Sequence, residues 1–144
     1  MDMAWIAQIT DREVQSVEQY DFLPCVVRLS GGFHIQIHAL WRLLRGGRLA
    51  ITREDDGQRF GRPSPVDSIA ELRAAIVGKR VEALHVAEGT ADLTISLGEV
   101  ALQGIADSAG YEAWLIEGPQ GPLAVGTGGG VVQVFDEAPR SPGL

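Results

Sequence analysis

The sequence predicts an α+β fold that is mostly antiparallel β, built from two related β-meander halves with one main helix at about residues 67–77. Apolar and polar residues alternate in the runs 33–37 and 93–97, a pattern typical of strands with one buried face. Glycine-rich pairs between such runs are typical of tight antiparallel turns. The stretches that begin at Trp41 and Trp114 also share one order: tryptophan, apolar residues, a glycine turn, then Leu-Ala and a β-branched residue. The shared order predicts an internal duplication.

The length of 144 residues fits one domain. We expect this domain to span residues 1–137, followed by a flexible tail at 138–144. Its two halves are placed at about 23–53 and 81–127, with the main helix between them. The spacing from the alternating run to the tryptophan is longer in the second half. Either the second half has gained a hairpin arm or the first has lost one, and the symmetry is expected to break around residues 103–112.

The N-terminal stretch has the weakest pattern. Residues 5–9 are predicted to form a short strand. Thr10 and Glu13 fit a capping box, and Val14 and Val17 are three residues apart, so one or two helical turns are expected after residue 10.

The other elements have clearer signals. Residues 33–44 are predicted to form one long strand, because every second residue is apolar. Ser68 and Glu71 fit a second capping box, and Gly78 is the expected end of the main helix. Residues 54–65 are polar and rich in glycine and proline, so we expect a loop there. Further strands are expected at 25–29, 48–52, 81–87, 92–97, 100–105, on both sides of 118–121, and at 131–135.

The composition argues against several classes of function. The net charge is −7 and the isoelectric point is about 4.8, which disfavours nucleic acid as a main partner. No apolar run approaches the roughly 20 residues of a membrane helix, so no membrane partner is expected. Cys25 is the sole cysteine, which predicts a buried thiol and a cytoplasmic location. The segment 42–62 carries six arginines against three carboxylates, a charge of +3, and the remainder therefore carries −10.

Two histidines on the predicted strand 33–44 are candidate metal ligands by residue type. His34 and His38 are four residues apart, which on a strand separates them by roughly 13 Å. They cannot chelate one ion unaided, although a third ligand such as His85 stays open. We therefore expect no metal and no cofactor, and we keep both histidines as candidate binding residues.

The remaining candidate binding residues are Tyr111, Glu112, Trp114 and Arg42. On a strand, Glu112 and Trp114 face the same way, and a carboxylate beside a large aromatic ring can line a groove. The same pair can equally be an edge charge beside a core tryptophan. The glycine run 126–130 precedes a strand-like segment without lysine, so it does not fit a phosphate-binding loop. No motif predicts catalytic residues.

Three motifs near the C-terminus carry a resemblance: Tyr111-Glu-Ala-Trp114, Gly118-Pro-Gln-Gly121 and Gly128-Gly-Gly130. Their order resembles the C-terminal signature of a functionally uncharacterised bacterial domain family, over about residues 23–135. The resemblance implies a small single-domain protein with a strand pair and a helix that ends in glycine. It implies no activity and supplies no catalytic residues.

Two functions from different classes follow as hypotheses. The first is a non-enzymatic protein–protein interaction module, of the immunity or antitoxin type, with an unknown and basic protein partner. The alternative is a small-molecule-binding domain or enzyme that uses a cleft between the two halves. A homodimer formed through an exposed strand edge is a further hypothesis.

Overall fold

The computed structural model describes residues 3–20 and 24–135, and the tail predicted at 138–144 lies outside the described residues. Within them the chain forms two α-helices, eleven strands and two short 3-10 turns. The elements are α1 (Ile6–Ile9), β1 (Val14–Gln19), β2 (Cys25–Leu29), β3 (Phe33–Ile37), β4 (Leu40–Arg45), β5 (Arg48–Thr52), a 3-10 turn (Arg53–Asp55), α2 (Ser68–Ile76), β6 (Ala83–Val86), β7 (Leu93–Leu97), β8 (Val100–Ile105), β9 (Trp114–Gly118), β10 (Gly121–Gly126), a 3-10 turn (Gly128–Gly130) and β11 (Val132–Val134).

The strands form two antiparallel sheets that enclose one core. The six-stranded sheet has the order β1-β2-β3-β9-β10-β11, and the five-stranded sheet has the order β5-β4-β8-β7-β6. Alternate residues of both sheets point inward into a single cluster of buried apolar side chains, in which Trp41 and Trp114 are the largest fully buried ones. The α+β class, mostly antiparallel with one main helix, is confirmed.

Four consecutive strands of each sheet have matching orders, β2-β3-β9-β10 and β7-β8-β4-β5. Each half of the chain contributes one hairpin to each sheet. Trp114 pairs with Ile37 where β9 meets β3, and Trp41 pairs with Gly104 where β4 meets β8. This arrangement is what a duplication would produce, whereas common descent of the two halves stays a prediction.

The matching strand orders change the expected correspondence between the halves. Strand β3 takes the place of β8 and not of β7, because each pairs with the strand that carries a tryptophan. The two halves differ around residues 103–112 as predicted, but through a longer connection between the sheets and not through an additional hairpin arm. What differs is the crossing between the sheets, which takes residues 38–39 in the first half and residues 106–113 in the second.

The single long strand predicted for residues 33–44 is also wrong. It is broken at His38 and Ala39, where the chain leaves the six-stranded sheet and enters the five-stranded one. The backbone N–H of His38 donates to the carbonyl of Ala113 at 2.8 Å. Buried and less buried residues keep alternating from residue 33 to residue 44 across the break, so the pattern carries no sign of the change of sheet.

The two N-terminal predictions are reversed in the structure. The short strand expected at residues 5–9 is helix α1, and the helical turns expected after residue 10 are strand β1. Asp11 has a φ of 72°, a left-handed conformation that turns the chain between the two elements. A bulge between Val14 and Ser16 shifts the register, so Val14 and Val17 are both buried although they are three residues apart. The bulge therefore produces a three-residue spacing of buried side chains, which is also typical of a helix.

The main helix is confirmed, but its start differs in detail. Asp67 is the N-cap, and its Oδ1 accepts a hydrogen bond from the N–H of Ala70 at 3.1 Å. The capping box predicted for Ser68 is wrong, because the Ser68 hydroxyl donates to Asp56 Oδ1 at 3.0 Å instead. The helix packs against β1 and β5, the outer strands of the two sheets.

Candidate functional site

A groove of about 950 Å³ lies where the chain crosses between the sheets in both halves. It is lined by seven residues from three segments, the first crossing, the 3-10 turn after β5 and the second crossing: His38, Arg53, Asp107, Ser108, Gly110, Tyr111 and Glu112. Its volume falls in the range of ligand sites, and it joins the two halves of the chain.

The second crossing, residues 106–113, is held by hydrogen bonds at both ends and in its middle. Ser108 Oγ accepts from the N–H of Gly110 and from that of Tyr111, both at 3.0 Å. Asp92 Oδ1 accepts from the N–H of Ala106 at 2.8 Å, and the N–H of Ala113 donates to the carbonyl of Gly126 at 2.8 Å. A loop that is ordered before binding loses less conformational entropy when a partner arrives.

This ordered loop presents an aromatic ring to solvent. The side chain of Tyr111 is 81% exposed, the largest exposed fraction among the described large apolar side chains. The backbone N–H of Tyr111 donates to Ser108 Oγ, which holds the backbone that carries the ring. Exposed tyrosine on a rigid support is typical of binding surfaces.

Two carboxylates line the same groove as Tyr111. Asp107 and Glu112 are exposed, and neither belongs to an ion pair among residues 3–20 and 24–135. Arg53 also lines the groove, but its side chain is only 12% exposed and its Nη2 donates to Glu54 at 3.2 Å. The solvent-facing charges of the second crossing are therefore negative.

The negative charge extends beyond the groove. Residues 81–135 contain no lysine or arginine and seven carboxylates: Glu82, Glu88, Asp92, Glu99, Asp107, Glu112 and Glu117. This part of the chain therefore carries −7, equal to the net charge of the whole protein. A field of one sign attracts ligands of the opposite sign.

A row of polar side chains runs along β3 and ends at the groove, where its last member, His38, lies in the first crossing. Glu117 Oε1 lies 2.8 Å from His34 Nε2, which lies 3.2 Å from Gln36 Nε2. Gln36 Oε1 lies in turn 3.1 Å from Nε2 of His38, the groove residue. The row follows the outer face of β3 because residues two apart on a strand point the same way.

The structure thus brings three of the candidate residues together in the groove: His38, Tyr111 and Glu112. His34 reaches the groove only through Gln36, because its own ring contacts Glu117.

Two other candidates lie elsewhere. Trp114 is fully buried in the core, where its Nε1–H donates to the carbonyl of Ala91 at 2.7 Å and its ring packs against Trp5. Arg42 lies on β4 in the other sheet, and its Nε–H donates to Gln103 Oε1 at 2.7 Å. Trp114 supports the fold next to the loop and does not line the groove.

Sequence reasoning missed Arg53, Asp107 and Ser108 as groove residues. Asp107 and Ser108 fall in the segment that was expected to break the symmetry of the halves, and Arg53 falls in the basic segment 42–62. The sequence contains no signal that would join these two segments, because only the folded sheets bring them together.

Metal binding and thiol chemistry can be compared with the described residues. Within the described part of the chain no three His, Cys, Asp or Glu side chains are placed to hold a metal ion. Burial raises the pKa of Cys25 to about 12, so its thiol stays protonated in the folded chain at neutral pH. No helix in the described residues has the length and apolar character needed to cross a membrane.

Comparison of the chain with models of protein families, with curated proteins and with solved structures found no match. The resemblance to an uncharacterised bacterial domain family therefore stays a prediction.

Proposed function

We propose that the chain is a non-enzymatic protein–protein interaction module that binds a basic segment of a partner protein in this groove. The observation that carries the proposal is the exposed Tyr111 on an ordered loop, in a groove that it shares with Asp107 and Glu112, two carboxylates without an ion pair among the described residues.

The chemistry of this arrangement suits a lysine or arginine side chain. A cation near the ring face of a tyrosine is attracted by the π electrons of the ring. Two carboxylates beside the ring add charge-assisted hydrogen bonds to the same cation. Among the described residues neither carboxylate belongs to an ion pair, which favours their attraction for a partner.

The charge distribution supports a basic partner on a longer range. The charge of −7 on residues 81–135 would accelerate the approach of a positively charged protein and would make the rate depend on salt. A cytoplasmic immunity or antitoxin protein that blocks a basic toxin is the biological role that we propose for such a module.

A direct test uses a peptide of alternating arginine and glycine as the probe, with a glutamate–glycine peptide as its counterpart. In ¹H–¹⁵N spectra the arginine peptide should shift the amide signals of Gly110, Tyr111 and Glu112 in a saturable way at physiological salt. Tyr111→Ala, and separately Asp107→Asn with Glu112→Gln, should weaken binding by about tenfold or more.

The matched control is Glu82→Gln with Glu88→Gln, which removes the same charge from two exposed residues outside the groove. If this control weakens binding as much as the groove variant, only the general charge matters and the groove is not the site. Equal binding of the glutamate peptide would also contradict the proposal.

A small molecule is the second candidate occupant. The volume of about 950 Å³ and the mixture of His38, Ser108 and the Tyr111 hydroxyl support it. A thermal-shift screen of metabolites separates the two: a saturable rise in melting temperature that Tyr111→Ala abolishes favours the small molecule. Sedimentation equilibrium in the same buffer addresses the homodimer hypothesis.

A further inference from the structure

The row Glu117, His34, Gln36 and His38 contains a conflict at one atom. His34 Nε2 lies 2.8 Å from the Glu117 carboxylate and 3.2 Å from the Gln36 amide nitrogen. A ring nitrogen carries either one proton or one lone pair. With the proton it donates to Glu117 and faces the N–H of Gln36; with the lone pair it accepts from Gln36 and faces the carboxylate. One of the two contacts must change.

The contact with the carboxylate is the stronger one, because its acceptor is charged. When His34 donates to Glu117, Gln36 turns its oxygen towards His34 and its NH₂ group towards His38. The amide can do so because its two ends have nearly the same size. The NH₂ group then needs an acceptor, so Nε2 of His38 must be without a proton.

We infer that Gln36 couples the two histidines, so that the His34–Glu117 hydrogen bond keeps Nε2 of His38 without a proton at the edge of the groove. When His38 does take up a proton at Nε2, it donates to the Gln36 oxygen. The NH₂ group of Gln36 then faces His34, which must give up the proton it shares with Glu117. The two events compete through one amide.

Other charged groups face these residues and act on them by distance alone. Arg28 lies opposite His34 on β2, and its guanidinium is held by Glu18 and Tyr20. The groups facing His38 in the groove are Arg53, Asp107, Tyr111 and Glu112. These charges bias His38 equally in both orientations of Gln36, so they do not reproduce the coupling.

The consequence for the groove rests on the proposed function. A protonated His38 places a positive charge beside Asp107 and Glu112, where it competes with the cation of a basic partner. The coupling itself needs no partner and can be tested in the free protein.

The test measures the tautomers and the titration of the three histidines by long-range ¹H–¹⁵N spectra, with His85→Asn to assign the third signal. In the neutral wild-type protein His38 should carry its proton on Nδ1, and His34 should carry one on Nε2. A neutral His38 with its proton on Nε2, at a pH where His34 also carries an Nε2 proton, would overturn the inference.

The variant Glu117→Leu separates the coupling from an effect of charge alone. Loss of a negative charge by itself leaves the orientation of the Gln36 amide unchanged, so the tautomer of neutral His38 should stay as it is. Loss of the acceptor frees His34 to accept from Gln36, whose oxygen then accepts from His38, so the coupling predicts that neutral His38 carries its proton on Nε2 in this variant.

The control repeats Glu117→Leu in a Gln36→Met background, where no amide joins the histidines. There the tautomer of neutral His38 should not respond to Glu117→Leu. An unchanged tautomer in both backgrounds, or the same change in both, would contradict the coupling. If the coupling holds and the arginine peptide nevertheless fails to bind, the proposed function fails alone.

Discussion

Trp41 and Trp114 occupy matching places in the two sheets but differ at the indole nitrogen. Both side chains are fully buried. The Nε1–H of Trp114 donates to the carbonyl of Ala91, whereas the Nε1–H of Trp41 is buried without a hydrogen-bond partner among the described residues.

This difference predicts unequal costs for the same substitution. Trp114→Phe removes a hydrogen bond and leaves the Ala91 carbonyl without that donor, whereas Trp41→Phe removes an N–H that has no partner. We expect Trp114→Phe to lower the free energy of unfolding by about 1–3 kcal/mol more than Trp41→Phe does. Urea denaturation of both variants measures the difference, and equal losses would refute this account.

The indole of Trp114 depends on a glycine opposite it. Gly126 pairs with Trp114, and a Cβ added to Gly126 would lie 2.5 Å from two atoms of the ring. Gly126→Ala should therefore destabilise the protein by about 1–3 kcal/mol through overpacking. The control is Gly110→Ala, where an added Cβ meets no atom within 4 Å. Thermal unfolding of both variants should separate them clearly.

The Ser108 hydroxyl is expected to hold the conformation of the second crossing. Ser108→Ala removes the acceptor of the Gly110 and Tyr111 N–H groups, both of which lie near solvent. We expect a stability loss below about 1 kcal/mol, faster hydrogen exchange at the Tyr111 amide, and weaker binding of the arginine peptide. Ser96→Ala, on β7 of the five-stranded sheet, serves as the comparison. Unchanged exchange at Tyr111 would show that the hydroxyl does not order the loop.

The thiol of Cys25 should make stability fall at alkaline pH. Burial raises its pKa from the ordinary 9.0 to about 12. Between these values the unfolded chain has released the thiol proton and the folded chain has kept it, so the unfolded state binds fewer protons and stability decreases as the pH rises.

Unfolding free energies of wild type and Cys25→Ala between pH 8 and 11 measure this contribution. Above about pH 9 the wild type should lose stability more steeply, by up to roughly 1.4 kcal/mol per pH unit. Alkylation by iodoacetamide at pH 8 should label the thiol only when the chain unfolds. Parallel curves, or rapid labelling of the folded protein, would show that the thiol is accessible.

Local patterns explain which predictions succeeded. Alternation and glycine turns act between neighbouring residues, so the strands at 25–29, 48–52 and 93–97 and the helix at 68–76 could be predicted. The spacing of Val14 and Val17 misled because a bulge and a helical turn can place residues three apart on one face. The strand at 33–44 was overextended because an inward alternation can continue while the chain changes sheets.

The sequence alone determined the class of the fold, the main helix and the acidity of the second half, because each depends on residue types and on spacings of a few residues. Only the tertiary structure decided where the groove lies and which residues share it. Arg53 and Tyr111 are far apart in the chain and line the same groove because the folded sheets bring the 3-10 turn after β5 and the second crossing together. Pairings over such distances depend on the packing of the whole core, which no local pattern records.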